Sequence, residues 1–141
     1  MRRVLWAALG LVLVVSAGIY ALNHLDEGGA AGSPVATTPA LIERGAYLAL
    51  AGNCAGCHTQ RGGPPYAGGR AIPTPFGSVF APNLTPDASG LGGWTGEQFW
   101  AALHNGRGRD GRLLTPAFPY TNYALVSRDD ADALFACLMA T

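Results

Sequence analysis

The chain opens on an apolar run. Residues 4–22 carry no charge, Arg2 and Arg3 precede them, and the next charged side chain is Asp26. A helix of that length crosses a bilayer and exceeds the apolar core of a typical signal peptide. The pattern predicts a membrane anchor over 1–22, with cleavage after Ala17 as the competing reading. Arginine at the start places the N-terminus in the cytoplasm, so the remainder lies outside under either reading. Trp6 and Tyr20 fall near the two ends, where interfacial aromatics gather. Residues 23–37 lack apolar periodicity, contain Gly28, Gly29, Gly32 and Pro34, and read as a flexible linker. His24 belongs to that linker.

From residue 38 onward the periodicity is helical in three places. Thr38 is a good N-cap and Pro39 suits a first helical position. Leu41, Ile42, Gly45 and Leu48 share one face of a helix reaching about Gly52. Glycine is costly inside a helix, so Gly45 predicts a close crossing with another helix. A second helix starts at Thr95, which forms a capping box with Gln98, and carries Phe99, Trp100 and Leu103 before Asn105-Gly106 ends it. A last helix is capped by Ser127, with Asp129 and Asp130 in its first turn. Its apolar stripe is Ala131, Leu134, Phe135, Leu138 and Met139, with Cys137 off the centre of the stripe.

Between the first two helices, residues 60–90 hold Pro64, Pro65, Pro73, Pro75, Pro82 and Pro86 among many glycines. No helix of ordinary length survives there, and a loop this long is normally functional. Tyr66, Ile72, Phe76, Val79 and Phe80 are its expected apolar anchors, lining a pocket. The fold class expected is all-α with a long Gly/Pro-rich loop, and the domain spans 38–141.

Composition narrows the classes. With 141 residues the chain is at most one small domain plus appendages. Nine basic residues, all arginine, balance nine acidic ones, so nothing points to nucleic acid. A small loop-rich domain buries little apolar surface and benefits from a staple.

The staple is legible in Cys54-Ala55-Gly56-Cys57-His58. This is C-x-x-C-H, the attachment pattern of a c-type haem. Residues i and i+3 lie on one face of a helical turn, so both thiols reach the vinyl groups on one edge of the macrocycle. His58 follows directly, which places its imidazole under the iron as proximal ligand. Ala55 and Gly56 are small and let the porphyrin edge approach the backbone. A four-ligand Cys zinc site needs a second cysteine pair, and only Cys137 remains. A thioredoxin-like pair would sit in a βαβ pattern, which is absent. One covalent haem c is expected. Arg107, Arg109 and Arg112, interleaved with Gly106, Gly108 and Gly111, suit a haem propionate, a redox-partner docking patch, or equally a solvated loop.

These residues resemble a single-haem cytochrome c domain. More narrowly, they resemble the membrane-associated cytochrome c subunits of bacterial periplasmic dehydrogenases of the alcohol, gluconate and molybdenum hydroxylase types. The resemblance runs from Ala40 to Met139. It rests on Arg44-Gly45-Ala46-Tyr47-Leu48, the haem motif, Thr74-Pro75-Phe76-Gly77, Asn83-Leu84-Thr85-Pro86-Asp87 and Gly92-Gly93-Trp94. It continues in Arg109-Asp110-Gly111-Arg112, Pro116-Ala117-Phe118-Pro119-Tyr120 and Asp132-Ala133-Leu134-Phe135. It implies a fold in which first and last helices cross near the haem edge, with Gly45 and Phe135 as the small residue and the aromatic of that crossing.

One position departs from the resemblance. Many relatives place a ligating methionine where this chain has Phe118, which cannot bind iron. The other candidates for the distal ligand are His104, at the end of the second helix, and Met139, for which core packing is the expected job. The function implied is electron transfer from a periplasmic dehydrogenase or cytochrome toward the respiratory chain, by a carrier that is not itself an enzyme. Its expected location is the bacterial inner membrane, anchored by the N-terminal helix with the domain on the periplasmic side. The alternative is a haem that binds a small molecule, as a gas sensor or weak peroxidase, at an open sixth site left by Phe118.

Overall fold

A computed structural model describes residues 2–25, 34–117 and 119–141, and the backbone alone for 22–25. It divides into two compact units, Met1–Ala30 and Ala31–Thr141. The first holds helix α1, Arg2–Leu25, within which Arg2–Ala21 is long and apolar enough to cross a membrane and has none of that stretch buried against protein. The helix continues through His24 without a break, where the sequence predicts linker.

The second unit contains α2 (Pro39–Ala51), α3 (Cys54–His58), β1 (Ala71–Thr74), β2 (Gly77–Phe80), α4 (Gly96–Asn105), α5 (Tyr120–Tyr123) and α6 (Arg128–Leu138). The three expected helices form where their caps predict. Thr38 Oγ1 accepts from Leu41 N at 3.2 Å. Thr95 and Gln98 make the reciprocal capping box, and Gly106 closes α4 in the left-handed conformation at φ 66°. Ser127 Oγ accepts from Asp130 N at 3.2 Å.

Helix α6 is the centre of the unit, with α2 and α4 both packed on it. It buries Ala131, Ala133, Leu134, Phe135, Ala136, Cys137 and Leu138, far more than one stripe, because two helices cover it from different sides. Ala49, Leu91, Phe99, Leu134, Phe135 and Leu138 make the core cluster. Gly45 meets α6 as its helix cost predicts: a Cβ there would lie 2.6 Å from the Ala133 carbonyl carbon and 2.7 Å from Cys137 Cβ. Cys137, off the stripe in sequence, is therefore buried in the α2–α6 crossing. Phe135 of the same helix has its ring against Phe99 of α4, with centroids 5.4 Å apart, while the atoms nearest a Gly45 Cβ belong to Ala133 and Cys137. Ion pairs brace the same contacts. Arg44 Nε donates to Asp130 Oδ1 at 2.9 Å, and Arg128 bridges Asp132 at 2.9 Å and Glu97 of α4.

The unit is mostly helical, but the all-α expectation misses a hairpin. β1 and β2 pair antiparallel from Ala71↔Phe80 to Thr74↔Gly77, joined by Pro75 and Phe76, with Gly77 at φ 123°. The prolines that exclude a helix do not exclude a two-stranded ribbon, whose exposed edges tolerate Pro73. Side chains alternate in a strand, so Ile72 and Val79 pair on the half-buried face while Phe80 points to the other. Phe76 at the turn is 99% exposed and Phe80 66% exposed; neither is an anchor within the protein. Tyr66, Ile72 and Val79 are half-buried. The short helix α5 also has no counterpart in the sequence reading.

Candidate functional site

The motif sits where α2 ends. Gly52 caps that helix, its N–H donating to Leu48 O at 2.8 Å. Asn53 then takes the left-handed conformation, φ 53°, a region tolerated by asparagine. That single residue redirects the chain into the one-turn helix α3, which presents Cys54 and Cys57 at i and i+3. Gly56 is small for a local reason: a Cβ there would strike Asn53, lying 2.6 Å from its Cγ and closer to the amide atoms.

His58 is held at both ends. Its Nδ1 lies 2.8 Å from Pro82 O. A carbonyl only accepts, so Nδ1 carries the hydrogen and Nε2 is the lone-pair nitrogen. Its main-chain oxygen accepts from Gly68 N at 2.7 Å, and Leu84 N returns to Tyr66 O at 2.8 Å. Gly68, φ 76°, has no room for a side chain, since a Cβ would meet the Pro82 carbonyl carbon at 2.6 Å and Asn83 N at 2.7 Å. The long loop is thereby fastened on both sides of the motif, and its Pro82 carbonyl orients the imidazole.

Burial depresses the His58 pKa, the bond to Pro82 opposing it in part, so the ring is neutral at neutral pH, the form that ligates a metal. Burial pushes the Cys54 thiol up, partly offset by hydrogen bonds that include Tyr123. Cys54 and Cys57 are both half-buried and form no disulfide. Two unpaired thiols on one face, beside a neutral imidazole with a fixed tautomer, are the donor set that suits a haem c. Among the described residues, no three His, Cys, Asp or Glu side chains gather to hold a bare metal ion.

The other candidate residues occupy varied settings. His104 stacks on Trp100, centroids 4.4 Å apart and 15° between planes, with Nδ1 2.7 Å from Asn105 Oδ1. Met139 packs against the core cluster. Phe118 lies outside the described residues. Arg107 Nη1 reaches Gly111 O at 3.3 Å, Arg109 Nη1 reaches Gly93 O at 3.4 Å, and Arg112 pairs with Asp110 at 3.1 Å. One residue near the motif escaped the sequence reading: Tyr123 of α5, whose hydroxyl donates to Gly52 O at 2.9 Å. Nothing in its local sequence signals a partner 71 positions away.

Comparison with known proteins agrees with this geometry. The family described as cytochrome c matches residues 42–141. The chain is similar to the gluconate 2-dehydrogenase cytochrome c subunit of Pantoea cypripedii, 45% identical over 101 residues that make up 71% of this chain and 23% of that protein. It is similar to the cytochrome c subunit of the quinone alcohol dehydrogenase of Gluconobacter oxydans, 40% identical over 134 residues, 94% of this chain and 25% of the other. It is also similar to one of the subunits of the nicotinate dehydrogenase of Pseudomonas putida, 48% identical over 102 residues, 72% of this chain and 9% of the other. The chain thus spans a quarter or less of these relatives' lengths. The helical frame around α6, the half-buried pair of thiols with their oriented histidine, and the match over residues 42–141 lead to one assignment: the chain belongs to the cytochrome c family.

Proposed function

We propose that this protein transfers electrons through one covalently attached haem c, serving a dehydrogenase as its redox partner. The observation that carries the reading is the His58 imidazole, held by Pro82 O with Nε2 free, directly after two thiols one helical turn apart. Cys54 and Cys57 form the thioethers and His58 is the proximal ligand. Bound there, the haem supplies one-electron chemistry at its iron. The chain's own contribution is structural. Asn53 turns the motif out of α2, Pro82 fixes the histidine tautomer, and the loop of 60–90, through Tyr66, Ile72 and Val79, walls the haem edge. Relatives that are cytochrome c subunits of dehydrogenases support a carrier rather than a catalytic subunit.

The proposed organisation is a membrane anchor over 1–22, a linker over 23–37 and the haem domain over 38–141, lying on the periplasmic side of the bacterial inner membrane. Helix α1 supports the anchor. His104 and Met139 are the protein side chains in line for the distal position, since Phe118 cannot ligate.

Denaturing gels stained for haem peroxidase activity test the attachment. The wild-type band should stain, and Cys54→Ala with Cys57→Ala should abolish the stain. Persistent stain in the double variant overturns the proposal.

A further inference from the structure

The β1–β2 hairpin turns one face inward and one outward. Ile72 and Val79 pair on the half-buried face. On the other, Ala71 sits across from Phe80 and Pro73 across from Ser78, and all four are exposed. Phe76 stands at the turn, 99% exposed. Residues 71–82 carry no charged side chain. Two phenylalanines on so short a ribbon therefore face water with no charge beside them.

The turn is also prepared to leave water. Pro73 and Pro75 have no N–H to satisfy. The Phe76 N–H donates to Thr74 Oγ1 at 3.2 Å, and that hydroxyl donates onward to Gly77 O at 2.6 Å. A turn whose polar groups bond one another loses little on desolvation, whereas an unpaired amide is costly to take out of water. The base of the hairpin has the opposite character. Arg70 sits there, exposed, its carbonyl accepting from Ala81 N at 3.0 Å. Arg61 is exposed in the same loop, and no acidic residue occurs between Glu43 and Asp87. An aromatic tip with arginine at its base suits an anionic bilayer surface. Aromatic rings favour the membrane–water boundary, and basic side chains favour anionic headgroups.

A bilayer is within reach of the tip. Helix α1 is long and apolar enough to cross one. Between Leu25 and Pro34 the chain has eight residues, whose span fully extended is about 30 Å. A tether that short keeps the domain at high effective concentration over any membrane that holds α1, so a weak contact is enough.

We propose that the β1–β2 hairpin is a second membrane contact, in which Phe76 and Phe80 enter the headgroup boundary of an anionic bilayer and Arg70 meets the lipid phosphates. The inference rests on the anchor proposed above. Insertion stops at the tip, because a two-stranded ribbon has unpaired backbone groups along its edges that lipid cannot satisfy. The contact gives the tethered haem domain a preferred orientation on the membrane surface.

The test uses the full-length holoprotein in vesicles of phosphatidylethanolamine and phosphatidylglycerol. A trace of phospholipid carries a photoactivatable group at the headgroup end of its acyl chain. After illumination and digestion, mass spectrometry should find lipid adducts in α1 and in residues 75–80. Phe76→Ser changes an exposed turn residue and should keep the haem stain and the α1 adducts. Its hairpin adducts should fall roughly tenfold, the factor corresponding to burial of one phenylalanine side chain. Phe76→Trp keeps an interfacial aromatic and should retain them. Adducts in α1 without adducts in the hairpin overturn the inference and leave the anchor standing. Absence of adducts from α1 overturns the anchor reading itself. Hairpin adducts that persist undiminished in Phe76→Ser also overturn the inference. A photoreactive phenylalanine analogue at position 76, illuminated in cell membranes, should cross-link to lipid; cross-linking to a second copy or to a dehydrogenase instead would give the tip to a protein and overturn it.

Discussion

Replacing Gly45 with alanine sets two effects against each other. Helix propensity favours the change by about 1 kcal/mol. Packing opposes it. The new Cβ would lie 2.6 Å from the Ala133 carbonyl carbon, 2.7 Å from Cys137 Cβ and closer still to Ala133 O, where ordinary contact begins at 3.4 Å. Two of these atoms are backbone inside a buried helix and cannot rotate aside. The helices must separate, and a radial gap of about 0.5–1 Å forfeits a quarter to a half of each dispersion contact across the seam. Ala49, Leu134 and Leu138, all in the core cluster, share that loss. Overpacking costs about 1–3 kcal/mol and occasionally more; the number of buried atoms on this seam puts the strain at the upper end. The net loss expected is about 2 kcal/mol, a large part of a typical total of about 5–15 kcal/mol. Guanidinium unfolding in detergent, followed by circular dichroism, should show a lower midpoint at unchanged slope. Ala46→Gly on the exposed side of the same helix is the control and should cost only the propensity term. A Gly45→Ala protein as stable as wild type, or more so, would refute the close-crossing argument.

Acid should weaken the same helix pair. The Arg44 guanidinium beside Asp130 holds its carboxyl below the ordinary value of 3.8. The contribution is fully present above that value and is lost as pH falls through the lower folded-state value, where the folded form takes up its proton. The pair is half-exposed, so the effect is at most about 1 kcal/mol; Asp130→Asn should flatten the fall in denaturation midpoint between about pH 4 and pH 2, and an unflattened curve would argue against the pairing. Phe118→Met should introduce the weak near-infrared band of sulfur–iron ligation and raise the potential, since a thioether ligand raises it; a wild type that already shows the band points to Met139. If the band is absent, His104→Ala converting a low-spin spectrum to high-spin assigns His104 as the ligand, and an unchanged spectrum excludes it.

Much of the frame was legible because its signals are local. Thr38, Thr95 with Gln98, and Ser127 each cap a helix within three residues of themselves, and Gly45 announces its crossing by being costly where it stands. The C-x-x-C-H turn is equally local. The hairpin was missed because proline argues only against helix, and the pairing of Ile72 with Val79 depends on a register that no single strand displays. Phe80 falls on the exposed side of β2 and Phe76 in the hairpin turn; apolar character alone says neither which face a strand residue takes nor which residues make the turn. Cys137 looked peripheral because one stripe was counted, whereas α6 has partners on more than one side. The Tyr123–Gly52 bond and the Pro82 carbonyl on His58 join residues far apart in sequence, where composition and periodicity carry no signal.

The central position of α6 also sets an order in time. A chain is made from its N-terminus, and domains fold as units. The thiols of Cys54 and Cys57 are synthesised well before α6, against which α2 packs. Until Leu138 has emerged, Gly45 of α2 lacks the helix it crosses, and the turn that follows has its loop contacts at Gly68 and Pro82 without that crossing behind it. Chemistry that needs both thiols fully accessible therefore has an early window on an unfolded chain, and that window narrows when the fold leaves both of them half-buried. A slower approach of α6 would lengthen it; a premature fold would shorten it.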